Sequence, residues 1–308
     1  MLQVNGLNVS LDRKEKDADV DFISHAHSDH ISSAKSSKSV LASEETVMLL
    51  EAINGITVQR AHLPVGVKLV DAGHILGSKQ LTVEDGDKGV KTVYTGDFQL
   101  QRSKACNPLQ AEDADVLIVD STYCSPDIRF EERGDVEAAM QAWTESKLQR
   151  GIVLFGVYAL GKAQEVIAIL NERNILPIVS KRISAINKVY EKSGVKLDYT
   201  SAYEGNSEYE SLLRGNFAVV VENSMMRTMA AAMGELYNKK VHTAVATGWA
   251  AAGQFSTDVQ FTLSDHADFS QCTDYINMTG AKKVVTYGSN RLELAHNLVN
   301  AGYDAMPF

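Results

Sequence analysis

The sequence predicts an α/β fold, on three observations about the order of its apolar segments. Between residues 125 and 245, apolar strands alternate with amphipathic helices, which is typical of a parallel sheet covered by helices. Before residue 125, short β-branched segments bounded by Gly, Asp or Ser predict strands with few long helices. After residue 245, the order strand, helix, strand, helix returns. We therefore expect the middle segment to be inserted into the first fold.

The predicted elements follow in chain order. Strands of the first segment are expected at LNVSL (7–11), VDFIS (20–24), VKLVDAG (67–73), QLTVED (80–85), KTVYTGD (91–97) and DVLIVDSTY (115–123). The middle segment is expected to consist of helix GDVEAAMQAWTESKLQRG, strand IVLFGV, helix LGKAQEVIAILNERN, strand ILPIVSK, helix KRISAINKVYEKSG, and strands FAVVVENS and VHTAVATGW. Gly and Pro residues at the ends of the helical patterns support these boundaries. The last segment is expected to contain strand KKVVTYG and helix RLELAHNLVNAG.

Composition excludes several classes of protein. The chain has 308 residues, 44% hydrophobic and 22% charged, which is unlike a disordered or collagen-like chain. Its formal net charge of −9 makes it a poor general binder of polyanions, so any contact with nucleic acid would have to be local. Three cysteines without a CxxC motif give no disulfide framework. With no signal-peptide core and no apolar run near about 20 residues, we expect a cytoplasmic protein without a membrane partner.

The segment HAHSDH (25–30) places four metal-binding side chains within six residues, directly after a predicted buried strand. A helix would point neighbouring side chains apart, whereas a loop leaving a strand can direct all four to one place. Imidazole and carboxylate groups suit zinc and other first-row metals. Because the chain has only eight histidines, three of them within six residues predict a metal site rather than a polar loop that is His-rich by chance.

The motif HAHSDH resembles the HxHxDH signature of the metallo-β-lactamase superfamily, and three further positions extend the resemblance. Asp12 lies where that superfamily has its first-motif acid, which implies a structural role in bracing the histidine loop. His74, in AGHILGS, matches the third-motif histidine, and Asp97, in YTGDF, matches the bridging carboxylate. The resemblance implies an αββα sandwich.

Other segments resemble one branch of this superfamily, the β-CASP nucleases. Asp120, in VDSTY, resembles the acid of motif A, and His266, in LSDHADF, resembles the histidine of motif B. The resemblance implies a metallo-β-lactamase domain in two parts, residues 1–124 and 246–308. A β-CASP α/β domain would be inserted over residues 125–245.

The resemblance also implies a role for each site residue. The implied metal ligands are His25, His27 and His74 for a first ion, Asp29 and His30 for a second, and Asp97 bridging both. The implied cofactor is zinc, as one or two ions, with Mn²⁺ or Mg²⁺ as alternatives. Three of the acids and histidines are assigned to catalysis. They are Asp29, His266 and Asp120. His266 would contact the scissile phosphate or act as the acid for the leaving oxygen, and Asp120 would orient His266.

One position departs from the pattern of the branch. Many relatives have a third histidine, motif C, at a strand end where this chain reads VTYG, so that Tyr287 occupies the motif C position. The missing imidazole predicts a weaker second metal site without excluding activity. His296, nine residues further on in a helical pattern, is expected to be a partly exposed helix residue rather than a substitute ligand.

Three further residues are candidate contacts for the substrate. Ser78, in HILGS, offers a hydroxyl close to the third-motif histidine. Lys162 lies in FGVYALGKAQE, which resembles the strand-to-helix segment of the branch, and it opens a predicted helix whose N-terminus favours phosphate. An ordinary amphipathic helix start is the open alternative for Lys162. Tyr123 is a candidate for stacking on a base.

The sequence therefore predicts a metal-dependent nuclease whose partner is single-stranded DNA or RNA. The motifs YALGKAQ and LSDHAD are most similar to those of ligase-associated DNA exonucleases, which favours a 5′-exonuclease, and a narrow slot between domains would favour single-stranded ends. Two enzyme alternatives stay open: a small-molecule metallo-hydrolase of the lactamase or thioesterase type, and an RNA 3′-end processing endonuclease. A catalytically weak binding subunit is disfavoured by the intact metal motifs, and a homodimer stays open.

Overall fold

The structure, a computed structural model, describes residues 1–4, 6–37, 39–86, 89–201 and 207–308. The chain divides into two compact units: unit 1 comprises Met1–Arg129 and Asp265–Phe308, and unit 2 comprises Phe130–Ser264. Both units are built from sheets and helices, which confirms the predicted α/β class. Among the described residues, each helix is too short or too polar to cross a membrane.

The elements follow one another in a strand-rich, then mixed, order. They are β1 (Leu2–Val4), β2 (Leu7–Leu11), β3 (Val20–Phe22), β4 (Ser39–Leu41), α1 (Glu44–Asn54), β5 (Gln59–Arg60), β6 (Val67–Asp71), β7 (Lys79–Asp85), β8 (Val90–Tyr94), β9 (Val116–Asp120), α2 (Arg133–Leu148), β10 (Ile152–Val157), α3 (Lys162–Asn171), β11 (Ile178–Val179), α4 (Lys181–Lys192), β12 (Thr200–Ser201), α5 (Ser207–Arg214), β13 (Ala218–Glu222), α6 (Asn223–Tyr237), β14 (Val241–Ala246), β15 (Val259–Phe261), α7 (Phe269–Thr279), β16 (Lys283–Tyr287), α8 (Arg291–Asn300) and β17 (Asp304–Pro307).

Within the described residues, unit 1 contains two sheets. The first has the order β1-β2-β3-β4-β5, in which β1 and β2 are antiparallel and the other neighbours are parallel. The second has the order β17-β16-β9-β8-β7-β6. Its first four strands are parallel, whereas β8, β7 and β6 pair antiparallel.

The two sheets of unit 1 pack on each other through a shared apolar core. Val9 and Phe22 contribute to it from the first sheet, and Leu81 and Tyr94 from the second. Alternate positions along the second sheet face a different core, which includes Tyr275 of α7 and side chains of α8. Helix α1 contacts β5 of the first sheet. Both sheets of unit 1 therefore bury apolar side chains, against each other and, for the second sheet, against helices α7 and α8.

Unit 2 contains one parallel sheet in the part of the chain that is described, with the order β12-β11-β13-β10-β14-β15. The central strand β10 is buried along its whole length, which explains its uninterrupted apolar sequence. Helices α5 and α6 pack apolar side chains against this sheet. Strand β15 belongs to the sheet although it follows residue 245, the predicted end of the middle domain. The predicted domain boundaries stay a prediction.

Polar residues follow the ends of several strands of unit 1. Strand β3 leads into the histidine loop, β8 ends shortly before Asp97, and β9 ends at Asp120. Strands β8, β9 and β16 are parallel neighbours, and Tyr287 pairs in register with Asp120. Because parallel neighbours end at the same edge of a sheet, the residues that follow β8, β9 and β16 meet there.

Candidate active site

The histidine loop after β3 is held in place by the carboxylate of Asp12. Asp12 Oδ1 accepts the Ser24 backbone N–H at 2.6 Å. Asp12 Oδ2 accepts hydrogen bonds from Ser24 Oγ at 2.7 Å, His30 Nδ1 at 2.9 Å and Tyr94 OH at 2.7 Å. The backbone of Asp12 is left-handed, with φ of 57°, which is unfavourable for a residue other than glycine. The four hydrogen bonds offset this strain, and the geometry fits the bracing role expected of Asp12.

Four side chains bring their ligand atoms together at this edge: His25, His27, His74 and Asp97. With one ligand atom taken from each, all four atoms lie within 4.8 Å of one another. The Nε2 atoms of His25 and His74 each lie 3.0 Å from Nδ1 of His27. The same two atoms lie 3.5 and 3.8 Å from Oδ2 of Asp97. Since His25, His74 and Asp97 are buried, three of the four ligands are shielded from bulk water.

Hydrogen bonds on the far side of two rings fix which nitrogen faces this cluster. His74 Nδ1 lies 2.7 Å from the carbonyl oxygen of Asp265, and because a carbonyl only accepts, Nδ1 carries the hydrogen. Ser24 Oγ gives its own hydrogen to Asp12, so it accepts a hydrogen bond from His25 Nδ1 at 2.9 Å. In both rings Nε2 therefore keeps its lone pair toward the cluster, as metal-ligating histidines do.

The electrostatics of the cluster also suit a cation. Burial holds the pKa of His25 well below its usual value, helped by His30, and burial lowers the pKa of His74 to about 3, helped by His266. Both imidazoles are therefore neutral. Burial alone would raise the pKa of Asp97, but His30 and His266 outweigh it and hold this pKa well below its usual range. Three imidazole nitrogens and one ionised carboxylate form a donor set that fits zinc.

The second predicted set of ligands is looser. His30 Nε2 lies 3.3 Å from Asp97 Oδ2 and 3.6 Å from Asp29 Oδ2, and the Asp29 side chain is 77% exposed. Among the described residues, the groups of three or more ligand atoms that all lie within 4.8 Å of one another include neither His30 nor Asp29. Tyr287, at the motif C position, adds no imidazole to them.

An acid–histidine pair, Asp120 and His266, stands beside the cluster. His266 Nδ1 donates to Asp120 Oδ2 at 3.0 Å, and His266 Nε2 lies 3.8 Å from Asp97 Oδ2. Burial alone would lower the pKa of His266, but the charge of Asp97 and the hydrogen bond and charge of Asp120 raise this pKa to about 9. His266 is therefore an imidazolium at neutral pH, which can donate a proton from Nε2.

Two local features hold Asp120 in this position. Its Oδ1 accepts hydrogen bonds from the backbone N–H of Thr122 at 2.9 Å and from Thr122 Oγ1 at 2.7 Å. Gly288, with φ of 98°, leaves room behind it, since a Cβ there would lie 2.9 Å from Asp120 Oδ1. Only glycine combines this backbone conformation with such a close approach.

Two of the predicted substrate contacts lie near the cluster in unit 1. Ser78 is buried, and its Oγ accepts the backbone N–H groups of His74 and Ile75, both at 3.2 Å. Ser78 thus shapes the turn that carries His74. Tyr123 is also buried, and the centroid of its ring lies 5.3 Å from that of His266. Their contact with substrate stays a prediction.

The third predicted contact, Lys162, lies in unit 2 in different surroundings. Its side chain is 1% exposed, and Nζ lies 3.2 Å from Oε2 of Glu165. Arg133 also pairs with Glu165, and its Nη1 donates to the carbonyl of Ser264 at 2.8 Å. In this structure Lys162 therefore belongs to a buried ionic cluster, rather than to an exposed phosphate contact.

Motif reasoning did not identify three positioning residues. They are Ser24, which fixes His25, Tyr94, which binds Asp12, and Gln99, whose Nε2 donates to the carbonyl of His266 at 2.6 Å. Each lies within a few residues of a motif, and that proximity was the available signal. Their partners are distant in sequence, so the chain order alone could not reveal the contacts.

The fold and the site together define a class of protein. Packed sheets with a histidine–aspartate cluster at one edge are typical of the metallo-β-lactamase fold. A solved structure of a protein of unknown function from Enterococcus faecalis V583 matches with a TM-score of 0.60 and 16% identity, covering 96% of this chain and 80% of that one. At this identity the match shows the fold alone.

Sequence comparisons identify the branch. A protein named "Probable DNA ligase" from Opitutus terrae is 30% identical over 305 residues, which are 92% of this chain and 28% of that protein. An "RNase J-like protein" from Methanocaldococcus jannaschii is 33% identical over 125 residues, 40% of this chain and 29% of that protein. The chain thus spans less than a third of the length of these relatives, and no family model matches it. The chain belongs to the β-CASP branch of the metallo-β-lactamase superfamily, as its motifs predicted.

Proposed function

We propose that the protein is a metal-dependent nuclease that hydrolyses phosphodiester bonds of DNA or RNA. The observation that carries this proposal is that Asp97 lies beside both the cluster of ligand atoms and His266. Its Oδ2 lies within 3.8 Å of Nε2 of His25, His74 and His266, so a cation site and a proton donor adjoin one carboxylate. A small-molecule hydrolase on the same scaffold needs the cation site but has no need of the Asp120–His266 pair.

The cation we propose is zinc, held by His25, His27, His74 and Asp97. Zinc is borderline soft and commonly takes three or four imidazole, carboxylate or thiolate ligands. When bound, a divalent cation supplies Lewis acidity, which polarises a phosphoryl oxygen and lowers the pKa of a water molecule at the site. The neutral imidazoles of His25 and His74 and the ionised carboxylate of Asp97 need no proton exchange before they act as ligands.

A second, weaker cation site is proposed at His30 and Asp29. The exposed carboxylate of Asp29 and the 3.3 Å approach of His30 Nε2 to Asp97 Oδ2 support it. Tyr287 supports its weakness, because a phenol whose pKa burial raises well above its usual value stays protonated and is a poor ligand. Asp29 is also proposed to take part in catalysis by orienting the attacking water.

His266 and Asp120 supply proton transfer. Asp120 binds the hydrogen on Nδ1 of His266, which leaves the Nε2 hydrogen available to the leaving oxygen of the ester. After the transfer, the same hydrogen bond keeps the neutral ring oriented. Removal of a positioned general acid typically slows a reaction about 10²–10⁴-fold.

We further propose that unit 1 is the αββα sandwich and that unit 2 is the inserted β-CASP domain. The chain order supports this, because the chain leaves unit 1 after Arg129 and returns to it at Asp265. The proposed activity is that of a 5′-exonuclease on single-stranded ends. Similarity over most of the chain to a protein named as a DNA ligase supports DNA as substrate, and the RNase J-like relative supports RNA.

Single-stranded and double-stranded DNA and RNA, labelled at the 5′ or the 3′ end, test the proposal with Zn²⁺, Mn²⁺ or Mg²⁺. The wild type is expected to release short labelled products from the 5′ end of single strands. His266→Gln is expected to lower kcat about 10²–10⁴-fold, whereas His296→Gln, at an exposed helix position, serves as the matched control and should not. Hydrolysis of a chromogenic β-lactam without any cleavage of nucleic acid would contradict the proposal.

A further inference from the structure

A pocket of about 400 Å³ lies in unit 1 next to His30 and Asp29. Its lining combines apolar and aromatic side chains with two cationic ones: Leu11, Ile118, Tyr287, Phe308, Arg13 and Arg291. The same lining also includes Asp12, Asp29, His30, Tyr94 and Gly288. The volume falls within the range of about 300–1,000 Å³ that is usual for small-ligand sites. The cluster of His25, His27, His74 and Asp97 contributes no residue to this lining. The pair of Asp120 and His266 contributes none either.

Two guanidinium groups bring positive charge to the pocket, beside the carboxylates of Asp12 and Asp29. Arg291 is exposed, and its Nη1 donates to the carbonyl of Gly288, a neutral acceptor, at 3.3 Å. The guanidinium carbon of Arg13 lies 4.6 Å from the centroid of the Phe308 ring, and Arg13 Nε lies 3.2 Å from Oε1 of Glu15. Guanidinium groups bind phosphate oxygens with paired, charge-assisted hydrogen bonds.

Tyr287 adds an aromatic surface and a polar atom to the same pocket. Its hydroxyl oxygen is buried and has no hydrogen-bond partner among the described residues. Its ring centroid lies 5.1 Å from that of Tyr94, which itself bonds to Asp12. A buried hydroxyl without a partner is unfavourable, so a ligand that presents a polar edge there would be favoured.

We propose that this pocket binds one nucleotide of the substrate strand, adjacent to the scissile phosphate. The inference rests on the proposed nuclease function. The nucleotide's phosphate contacts Arg291 and Arg13, its base lies against the rings of Tyr287 and Phe308, and a polar edge of the nucleotide bonds to the Tyr287 hydroxyl. The tyrosine at the motif C position is thereby a substrate contact instead of a metal ligand.

Isothermal titration calorimetry on the full chain tests the pocket with three probes: adenosine 5′-monophosphate, adenosine and inorganic phosphate. The monophosphate is expected to bind at least about tenfold tighter than either half-ligand, since it alone fills both parts of the pocket. Arg291→Gln should weaken the binding of the monophosphate about tenfold and leave the binding of adenosine unchanged. Tyr287→Phe, which removes only the hydroxyl, should weaken the binding of both the monophosphate and adenosine severalfold.

Arg150→Gln is the matched control, because it removes an exposed guanidinium in unit 2, outside the pocket lining. It should bind all three probes as the wild type does. Equal affinity of the monophosphate for the wild type, Arg291→Gln and Tyr287→Phe would overturn the inference. Inorganic phosphate that binds as tightly as the monophosphate would also overturn it, since the anion would then be held without the base.

Turnover separates the pocket from the proposed function. On a single-stranded oligonucleotide, Arg291→Gln should raise KM about tenfold with little change in kcat, because the contact is made equally in the ground and transition states. Nucleotide binding by a wild type that cleaves no nucleic acid would contradict the nuclease function and leave the pocket standing. If Arg291→Gln and Tyr287→Phe both cleave with the wild-type KM, the nucleotide pocket is contradicted. The proposed nuclease function is then unaffected.

Discussion

Gly288→Ala tests whether the acid–histidine pair depends on the space behind Asp120. A Cβ at position 288 would lie 2.9 Å from Asp120 Oδ1 and 3.3 Å from the backbone nitrogens of Ser121 and Thr122. The φ of 98° alone costs a non-glycine residue about 1–2 kcal/mol. A shift of Asp120 also weakens its bond to His266, and a hydrogen bond to a charged group contributes about 1.5–3 kcal/mol. The expected loss of unfolding free energy is therefore about 2.5–5 kcal/mol.

Gly302→Ala is the matched control for this substitution. Its φ of 93° is close to that of Gly288, but a Cβ there meets nothing within 4 Å. Its free energy of unfolding should therefore fall only by the backbone contribution of about 1–2 kcal/mol. Urea unfolding followed by far-ultraviolet circular dichroism measures both variants, and the cleavage of a labelled oligonucleotide measures kcat.

The difference between the two variants is the informative quantity. Gly288→Ala should lower kcat about 10–100-fold, as loss of a partner that orients a catalytic group commonly does, and Gly302→Ala should leave kcat unchanged. Equal midpoints of unfolding for the two variants, together with an unchanged kcat in Gly288→Ala, would refute the reasoning. In that case Asp120 would have another way to hold its position.

Three further expectations concern stability, thiol reactivity and metal content. Tyr94→Phe removes the 2.7 Å bond to Asp12 Oδ2 and keeps the ring, so urea unfolding should show a loss of about 1–3 kcal/mol; an unchanged midpoint would contradict the bracing of the loop. Iodoacetamide should modify Cys106 in the native protein and spare Cys124 and Cys272, because both are buried and burial raises the pKa of Cys124 well above its usual value. Mass spectrometry that finds equal labelling of all three would speak against this. After extensive dialysis the protein should retain one equivalent of zinc, because the second ligand set is looser; two retained equivalents, measured by elemental analysis, would show a strong second site.

The cluster of His25, His27, His74 and Asp97 was predictable because each of its residues lies in a short sequence motif. The histidine loop is contiguous, and strands end shortly before His74 and Asp97. Loops that directly follow strands are where a rigid scaffold commonly places functional side chains. The sequence could thus predict which side chains meet.

The contacts that orient those ligands could not be predicted in the same way. Asp12 adopts a left-handed backbone, and its bond to Tyr94 joins residues 82 positions apart in the sequence. Such contacts exist only after the sheets have packed, and no local propensity encodes them. The requirement for glycine at position 288 is of the same kind, since it arises from the approach of Asp120.

Lys162 shows how burial can override the usual behaviour of a charged residue. A lysine at the start of a helix is normally solvated, which made it a candidate contact for phosphate. In the structure, eight of the ten residues of α3 are buried, including Lys162 and Glu165. A charge can occupy such a position only when it is paired. The neighbouring acid in the sequence was the one local sign of that pairing.

The bond from His74 to the carbonyl of Asp265 joins residues 191 positions apart, and this separation sets an order of assembly during synthesis. A nascent chain that ends before residue 265 already contains His25, His27, His74 and Asp97, but it lacks the carbonyl that accepts the hydrogen bond from His74 Nδ1. The proposed zinc site is therefore completed late, after the C-terminal part of unit 1 has emerged from the ribosome and docked.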